Sequence, residues 1–410
     1  MLGSLKDKKI AIVGLGTNNK MLAEFLTRQG ITFKVVEWQS PEQLAGQLDG
    51  FDLIFRTPGL PYLSKAIQQA KKNGTEISSQ TKLFFQLCPS PIIGVTGTKG
   101  KGTTSSLIAK ILQAAGKKVW LGGNIGRDPF EFLDRIQKQD FVVLELSSFQ
   151  LQDMTQSPHI AIVLNITSDH LNHHLSQEEY VTSKSSIVAF QTDKDFAVLH
   201  KNLPEWFKDL GGSKKIIFDA KDAISFATKL LGEHNLENIA AAVGVAQILK
   251  IDQSIIRKTV SAFEALPHRL KVIKEINGVT FVDDGFSTNI DPTIAAVQAF
   301  QSPLVLIAGG FDKGLDFTAL GEKIKQSPNI KGLVVIGQVT DKIINAVNGF
   351  KGQILTGAKT MGEILQQAES IASPGDTILF SPGTSSFDMF KNEKDRADQF
   401  VNAIAKHEEN

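Results

Sequence analysis

The chain has 410 residues, enough for two or three domains that each bury their own core. Its 44 Lys and Arg against 43 Asp and Glu leave a formal charge of +1. That balance excludes a non-specific nucleic-acid or membrane-surface binder, so no nucleic-acid and no membrane partner is expected and any anion binding must be local. The one cysteine, Cys88, excludes an internal disulfide and a cysteine-cluster metal site, and no apolar run is long enough to span a bilayer. A soluble, cytoplasmic protein is expected.

Residues 10–13 form a short apolar strand that runs into Gly14-Leu15-Gly16. Residues 21–28 have helical spacing, and 31–38 read as a second strand passing through Glu37. This is the opening of a doubly wound, Rossmann-like nucleotide-binding sheet. The dinucleotide fingerprint would place a third glycine where Asn19 stands, so the signature of an NAD site is missing. A uridine-type ligand at the strand ends is compatible with this opening. Strands at 52–56 and 76–78 bracket a helix at 61–72, and Cys88-Pro89-Ser90-Pro91 is a stiff boundary that sets the first domain at residues 1–90.

The second domain, residues 91–267, is expected to be P-loop ATPase-like with a mostly parallel sheet. The apolar run Ile92-Ile93-Gly94-Val95 enters the turn Thr96-Gly97-Thr98-Lys99-Gly100-Lys101-Gly102, after which Thr103-Thr104 opens a helix. Backbone amides and a helix N-terminus at such a turn favour a polyphosphate, and Lys101 can reach its outer phosphates. Five residues rather than the usual four separate Gly94 from Gly100, and Gly102 stands where a Ser or Thr usually follows the lysine. A metal-binding hydroxyl must then come from Thr103 or Thr104.

Glu145 ends the buried strand 141–145, a place from which it can hold Mg²⁺ or simply face solvent. Asp169 and His170 follow the strand 159–165, where His170 can bind a metal, steer a substrate or serve as a structural histidine. Lys184 lies in the helical stretch 178–190, either as a solvated charge or, beside two metals, as a carbamate. His234-Asn235 and Asn238 open a long alanine-rich helix, where they can recognise a base or cap the helix.

The third domain, residues 268–410, opens with a hairpin about Asn277-Gly278. Strands at 303–308, 332–336 and 376–380 then alternate with helices at 316–326 and 361–372, and a charged helix at 391–406 closes the chain. This too is Rossmann-like, and it carries Arg269, Asp284 and Lys313.

The order of these motifs resembles the Mur ligase family along the whole length. The carrying residues are Gly94 to Thr104, Gly122 to Gly126, Leu144 to Gln150, Asn165 to His170 with Lys184, and His234 to Asn238. Pro267-His268-Arg269, Asp284 to Asn289, Gly309 to Lys313 and Ser381 to Asn392 complete the set. Within the family, Leu144 to Gln150 and Ser386 to Asn392 point to the glutamate-adding branch.

The resemblance implies that Gly97, Thr98, Lys99, Gly100, Lys101, Gly102 and Thr103 surround the ATP phosphates. Thr103 and Glu145 would hold one Mg²⁺, and His170 with a carbamylated Lys184 a second. Lys101, His170 and Lys184 would be the catalytic set. Asn235, Asn238, Arg269 and Asp284 would contact adenosine or phosphate. Thr17, Asn18 and Glu37 would bind uridine, while Asn124, Ser147 and Gln150 face the muramoyl-alanine portion. Thr288, Lys313 and Ser386 would receive glutamate.

The implied reaction adds D-glutamate to UDP-N-acetylmuramoyl-L-alanine through an acyl phosphate, in peptidoglycan precursor synthesis, by a monomer. Phe286 stands where the family usually has Lys, Glu393 where it has an aromatic, and Gln39 where it has Arg. Alternatives are the same precursor with L-glutamate or another acidic amino acid, and a folylpolyglutamate synthase-like ligase, which the separate N-terminal domain disfavours. An NTP-driven switch or binding module is the reading from a different class.

Overall fold

The computed structural model describes residues 2–167 and 174–406, and they fall into two compact units, one of residues 1–227 with 236–261 and the other of residues 228–235 with 262–410. The first unit contains two sheets. In the first sheet, β1 (Ile10–Val13), β2 (Lys34–Val36), β3 (Leu53–Arg56) and β4 (Glu76–Ser79) take the order β2-β1-β3-β4, parallel throughout. β1 and β3 are buried along their whole length, as expected of strands covered on both faces.

Two local features depart from the simple pattern. The helix after β1 runs Thr17–Arg28, several residues earlier than expected, because the turn before it is closed by Asn19. Gly14 adopts φ 69° there, and the buried Asn19 amide donates to the carbonyls of Val13 and Gly14, each at 3.0 Å. Second, β2 is three residues long rather than eight. Its expected first residue, Ile31, instead closes the preceding helix: Ile31 N donates to Leu26 O and Gly30 N to Thr27 O, with Gly30 at φ 68°. That is the paired bonding of a Schellman cap.

The second sheet holds β5 (Ile92–Thr96), β6 (Val119–Gly123), β7 (Phe141–Glu145), β8 (Ile160–Val163), β9 (Phe196–His200) and β10 (Lys214–Phe218). Their order is β10-β9-β8-β5-β7-β6, and every pair is parallel. Chain order reverses at β5, which has β8 on one side and β7 on the other. The crevice beyond its carboxyl end is therefore the topological switch point where open α/β sheets bind ligands. The expectation of a mostly parallel sheet holds, although β9 and β10 were not separated by the sequence pattern.

The second unit has one sheet, of β11 (Lys271–Ile276), β12 (Val279–Asp283), β13 (Leu304–Gly309), β14 (Ile330–Ile336), β15 (Gln353–Thr356) and β16 (Thr377–Phe380). The order is β11-β12-β16-β13-β14-β15, with only β11 antiparallel to its neighbour. Asn277 and Gly278 take φ 50° and 78°, the two left-handed positions that a two-residue hairpin turn requires. Alternation along β13 serves two cores. Leu304 and Leu306 join one apolar cluster with Leu320 and Leu333, and Val305 and Ile307 join another with Ile364 and Phe400. Among the described residues no helix is long and apolar enough to cross a membrane.

Candidate active site

The turn after β5 has the shape its glycines predict. Gly97 sits at φ 145°, where an added Cβ would lie 2.6 Å from Leu164 Cβ. Gly100, at φ 83°, caps the helix Lys101–Ala114, and an added Cβ there would lie 2.0 Å from Asn238 Oδ1. Both positions need glycine for conformation and for space. The Asn238 amide lies beneath the turn and accepts from Thr104 Oγ1 at 3.2 Å.

Two lysines converge on this turn. Lys101 Nζ donates to the carbonyls of Gly97 at 3.2 Å and Thr98 at 2.9 Å. Lys184, 1% exposed on the helix Gln177–Ala189, donates to the same Gly97 carbonyl at 3.0 Å, and its ammonium stands 4.6 Å from the Tyr180 ring centroid. Thr98 is pinned from three sides. Its N–H donates to Asn165 O at 3.0 Å, its hydroxyl accepts from Thr167 N at 2.9 Å, and Tyr180 OH lies 3.1 Å away. Lys99 is exposed, and Gly102 and Thr103 are half-buried in the first helical turn.

Next to this turn, Glu145 ends β7, half-buried. Its carbonyl accepts from Asn124 N at 3.1 Å, and it would lie 2.2 Å from a Cβ on Gly123. The loop after β6 is thus laid directly on the end of β7, which places the exposed Asn124 side chain at this edge. Thr103 and Glu145 offer hard oxygen donors of the kind Mg²⁺ takes, and the glycine cradle with its lysine fits a polyphosphate. Among the described residues no cluster of three or more His, Cys, Asp and Glu forms a metal site, and His170 lies outside those residues.

Ser147 and Gln150 are bound to one another. Ser147 N and Oγ donate to Gln150 Oε1 at 2.9 and 3.0 Å, while Gln150 N donates back to Ser147 Oγ at 3.3 Å. This capping box fixes the start of the short helix Ser148–Leu151. The structure adds residues that the sequence did not single out. Ser148 Oγ lies 2.9 Å from His174 Nε2, and His174 Nδ1 lies 2.6 Å from Glu179. Ser148 is buried, so this chain serves to brace the turn against the helix of Lys184.

In the first sheet, Asn18 Nδ2 donates to Gln80 Oε1 at 3.2 Å, and Gln80 Nε2 donates to Asn18 O at 2.7 Å and Asp128 Oδ2 at 2.6 Å. Burial pushes the Asp128 carboxyl above its ordinary range. Glu37 is exposed past the end of β2, and the Thr17 side chain lies outside the described residues. A second link between the two sheets is the fully buried Arg56, which reaches from the end of β3 to Asp153 Oδ1 at 3.0 Å and Phe149 O at 2.8 Å.

The remaining site residues belong to the second unit, except Asn238. Asn235 Nδ2 donates to Leu231 O at 2.7 Å. Asp284, just beyond β12, accepts from Leu270 N at 3.0 Å, Ser381 Oγ at 2.7 Å and Ser287 Oγ. Burial nevertheless raises its carboxyl to about 6, against the opposing pull of these donors and the Arg269 charge. Arg269 is exposed, its guanidinium 5.8 Å from the Phe286 ring centroid. Lys313 Nζ donates to Asn289 Oδ1 at 2.9 Å, beside the half-buried Thr288. Ser386 is fully buried, and its hydroxyl has no partner among the described residues.

Residues 95–219 match the Mur ligase middle domain and residues 268–383 match the glutamate ligase domain of Mur ligases. The chain is 35% identical to the UDP-N-acetylmuramoylalanine--D-glutamate ligase of Acetivibrio thermocellus, over 98% of this chain and 97% of that protein. It is 34% identical to the ligase of the same name from Symbiobacterium thermophilum, over 98% and 99%. In fold it is similar to the MurF ligase of Thermotoga maritima in complex with ADP, with a TM-score of 0.62 at 17% identity, over 100% of this chain and 97% of that one.

Proposed function

The chain belongs to the Mur ligase family, and on that premise we propose that it is the ATP-dependent ligase joining D-glutamate to UDP-N-acetylmuramoyl-L-alanine in peptidoglycan precursor synthesis. The observation that carries this reading is end-to-end similarity to glutamate ligases together with a glycine turn on which Lys101 and Lys184 converge. A carboxylate is a poor acyl donor at neutral pH. The alanyl carboxylate therefore takes the γ-phosphoryl group of ATP first. The glutamate amine then attacks the acyl phosphate, loses a proton and expels phosphate, leaving an amide.

The loop amides of residues 97–103 bind and orient the triphosphate, and Lys101 turns from its loop carbonyls to the transferring phosphoryl oxygens. Thr103 and Glu145 would hold one Mg²⁺, and His170 with Lys184 as a carbamate would hold a second, which when bound would neutralise the crowded phosphate oxygens. Carbamylation would replace a buried cation with a carboxylate and so change Lys184 from a donor into a ligand. Asn124, Ser147 and Gln150 orient the muramoyl-alanine end, with Ser147 and Gln150 held ready by their mutual bonds. Thr17, Asn18 and Glu37 hold uridine.

Asn238 shapes the loop from beneath, and Asn235 and Arg269 meet adenosine or phosphate. Asp284 acts by fixing the segment beside Arg269. Thr288, Lys313 and Ser386 receive glutamate. Residues 1–90, 91–267 and 268–410 correspond to nucleotide-precursor, ATP and amino-acid domains, in a monomeric, cytoplasmic enzyme. Incubation with ATP, Mg²⁺, the muramoyl-alanine nucleotide and D-glutamate tests this by mass spectrometry. The precursor should gain one glutamyl residue for each ADP formed, and ADP formed without that product would overturn the reading.

A further inference from the structure

Arg396 stands in the first turn of the helix Glu393–Lys406, and its side chain is fully buried. A guanidinium removed from water is costly unless it is paired. Yet among the described residues Arg396 forms no ion pair, and its Nε has no hydrogen-bond partner. Asp283, Asp388 and Glu393 act on it only through their fields, and burial lowers its ordinary value to about 10, which leaves it charged at neutral pH.

Its two terminal nitrogens reach separate loops. Nη1 donates to Thr384 O at 2.9 Å, in the loop after β16, and Nη2 donates to Gly285 O at 3.1 Å, in the loop after β12. A third loop, the one after β13, passes close by. Gly310 takes φ 142° there, and an added Cβ would lie 3.2 Å from Arg396 Nη1 and 2.4 Å from Ser385 O. β12, β16 and β13 are consecutive neighbours in the sheet. The guanidinium thus sits under three adjacent loops at the carboxyl edge, where such sheets bind ligands.

Each of these loops also carries one residue assigned to glutamate: Thr288 after β12, Lys313 after β13 and Ser386 after β16. We propose that Arg396 is a positioning residue for the incoming amino acid, its fork setting the spacing of the three loops so that glutamate binding depends on it and ATP and precursor binding do not. This rests on the glutamate-ligase reading above. Lysine would keep the charge but, with one donor centre in place of a planar fork, could not hold both carbonyls.

The test compares Arg396→Lys and Gly285→Ala with wild type in steady-state kinetics and in a single turnover without glutamate. Gly285→Ala leaves the arginine intact but places a Cβ 2.5 Å from Ala397 Cβ, which pushes the loop off the guanidinium and gives an independent route if Arg396→Lys fails to fold. The expected result is a rise of about tenfold or more in KM for D-glutamate. KM for ATP and for the precursor should stay within about twofold, with unchanged ADP formation in the glutamate-free turnover. An unchanged KM for glutamate, or a parallel rise in all three constants, would overturn the proposal. A wild-type protein that consumes no glutamate removes the functional reading and the proposal together, whereas an active wild type with an unchanged glutamate KM in both variants removes the proposal alone.

Discussion

Lys101 and Lys184 share one acceptor, the Gly97 carbonyl, at 3.2 and 3.0 Å. They come from different elements, Lys101 from the helix that the turn itself begins and Lys184 from a helix more than eighty residues further along the chain. Two ammonium groups on one carbonyl repel each other. An arriving triphosphate or a carbamate on Lys184 would each relieve that repulsion.

Lys184 provides the sharper test of the two. Lys184→Ala should lower turnover by about a hundredfold or more, as expected for loss of electrostatic support at a transferring phosphoryl group. Short carboxylic acids should restore part of the activity by refilling the place of the carbamate. Lys184→Arg keeps a donor for Gly97 O but cannot be carbamylated, so it should remain inactive. Turnover with and without formate or acetate decides the matter, and absence of rescue in Lys184→Ala would count against the carbamate.

Gly100 should tolerate no side chain. Alanine would have to hold φ 83° and would meet Asn238 Oδ1 at 2.0 Å, which also disturbs the bond from Thr104. Such strain costs on the order of 1–3 kcal/mol in unfolding free energy. Urea denaturation should show that loss together with a higher KM for ATP. Adding Asn238→Gly should recover the steric part and leave the backbone part.

Asp284 makes stability depend on pH in an unusual direction for a carboxylate. Its value rises from 3.8 to about 6 on folding, mainly through burial. Between those values the folded protein holds a proton that the unfolded chain has released, so stability falls as pH rises through the window. Above it the ionised carboxylate costs about 3 kcal/mol. Asp284→Asn should remove this dependence. The difference in unfolding free energy between variant and wild type should therefore shift by about that amount between about pH 4 and about pH 7. A pH-independent difference would contradict the assignment.

The buried pair Arg56 and Asp153, 0% and 1% exposed, joins β3 to the segment that carries Ser147 and Gln150. Arg56→Met would leave Asp153 without its countercharge and should destabilise by about 3–5 kcal/mol. Replacing both by Met and Leu should recover much of this, because the desolvation penalty goes with the charges. Chemical denaturation of the two singles and the double measures the coupling.

What the sequence disclosed was set by local chemistry. The glycine turn and the Asn277-Gly278 hairpin are written in residues a few positions apart, and the structure has both. The limits of the helix after β1 and of β2 were missed because a buried Asn19 and a Schellman cap moved them, although Gly30 was a visible signal. Contacts between distant residues left no local trace. Arg56 meets Asp153 across 97 positions, and Arg396 meets Gly285 across 111. Periodicity places Arg396 on a charged terminal helix, and only its packing shows that it is buried.

The glutamate-ligase activity is tested by ATP-dependent phosphate release with UDP-N-acetylmuramoyl-L-alanine, with D-glutamate and L-glutamate supplied in separate reactions. Sustained release is expected with D-glutamate alone, which would make Phe286 and Glu393 tolerated substitutions in the amino-acid site. Release with L-glutamate, or no release with either, would contradict that expectation.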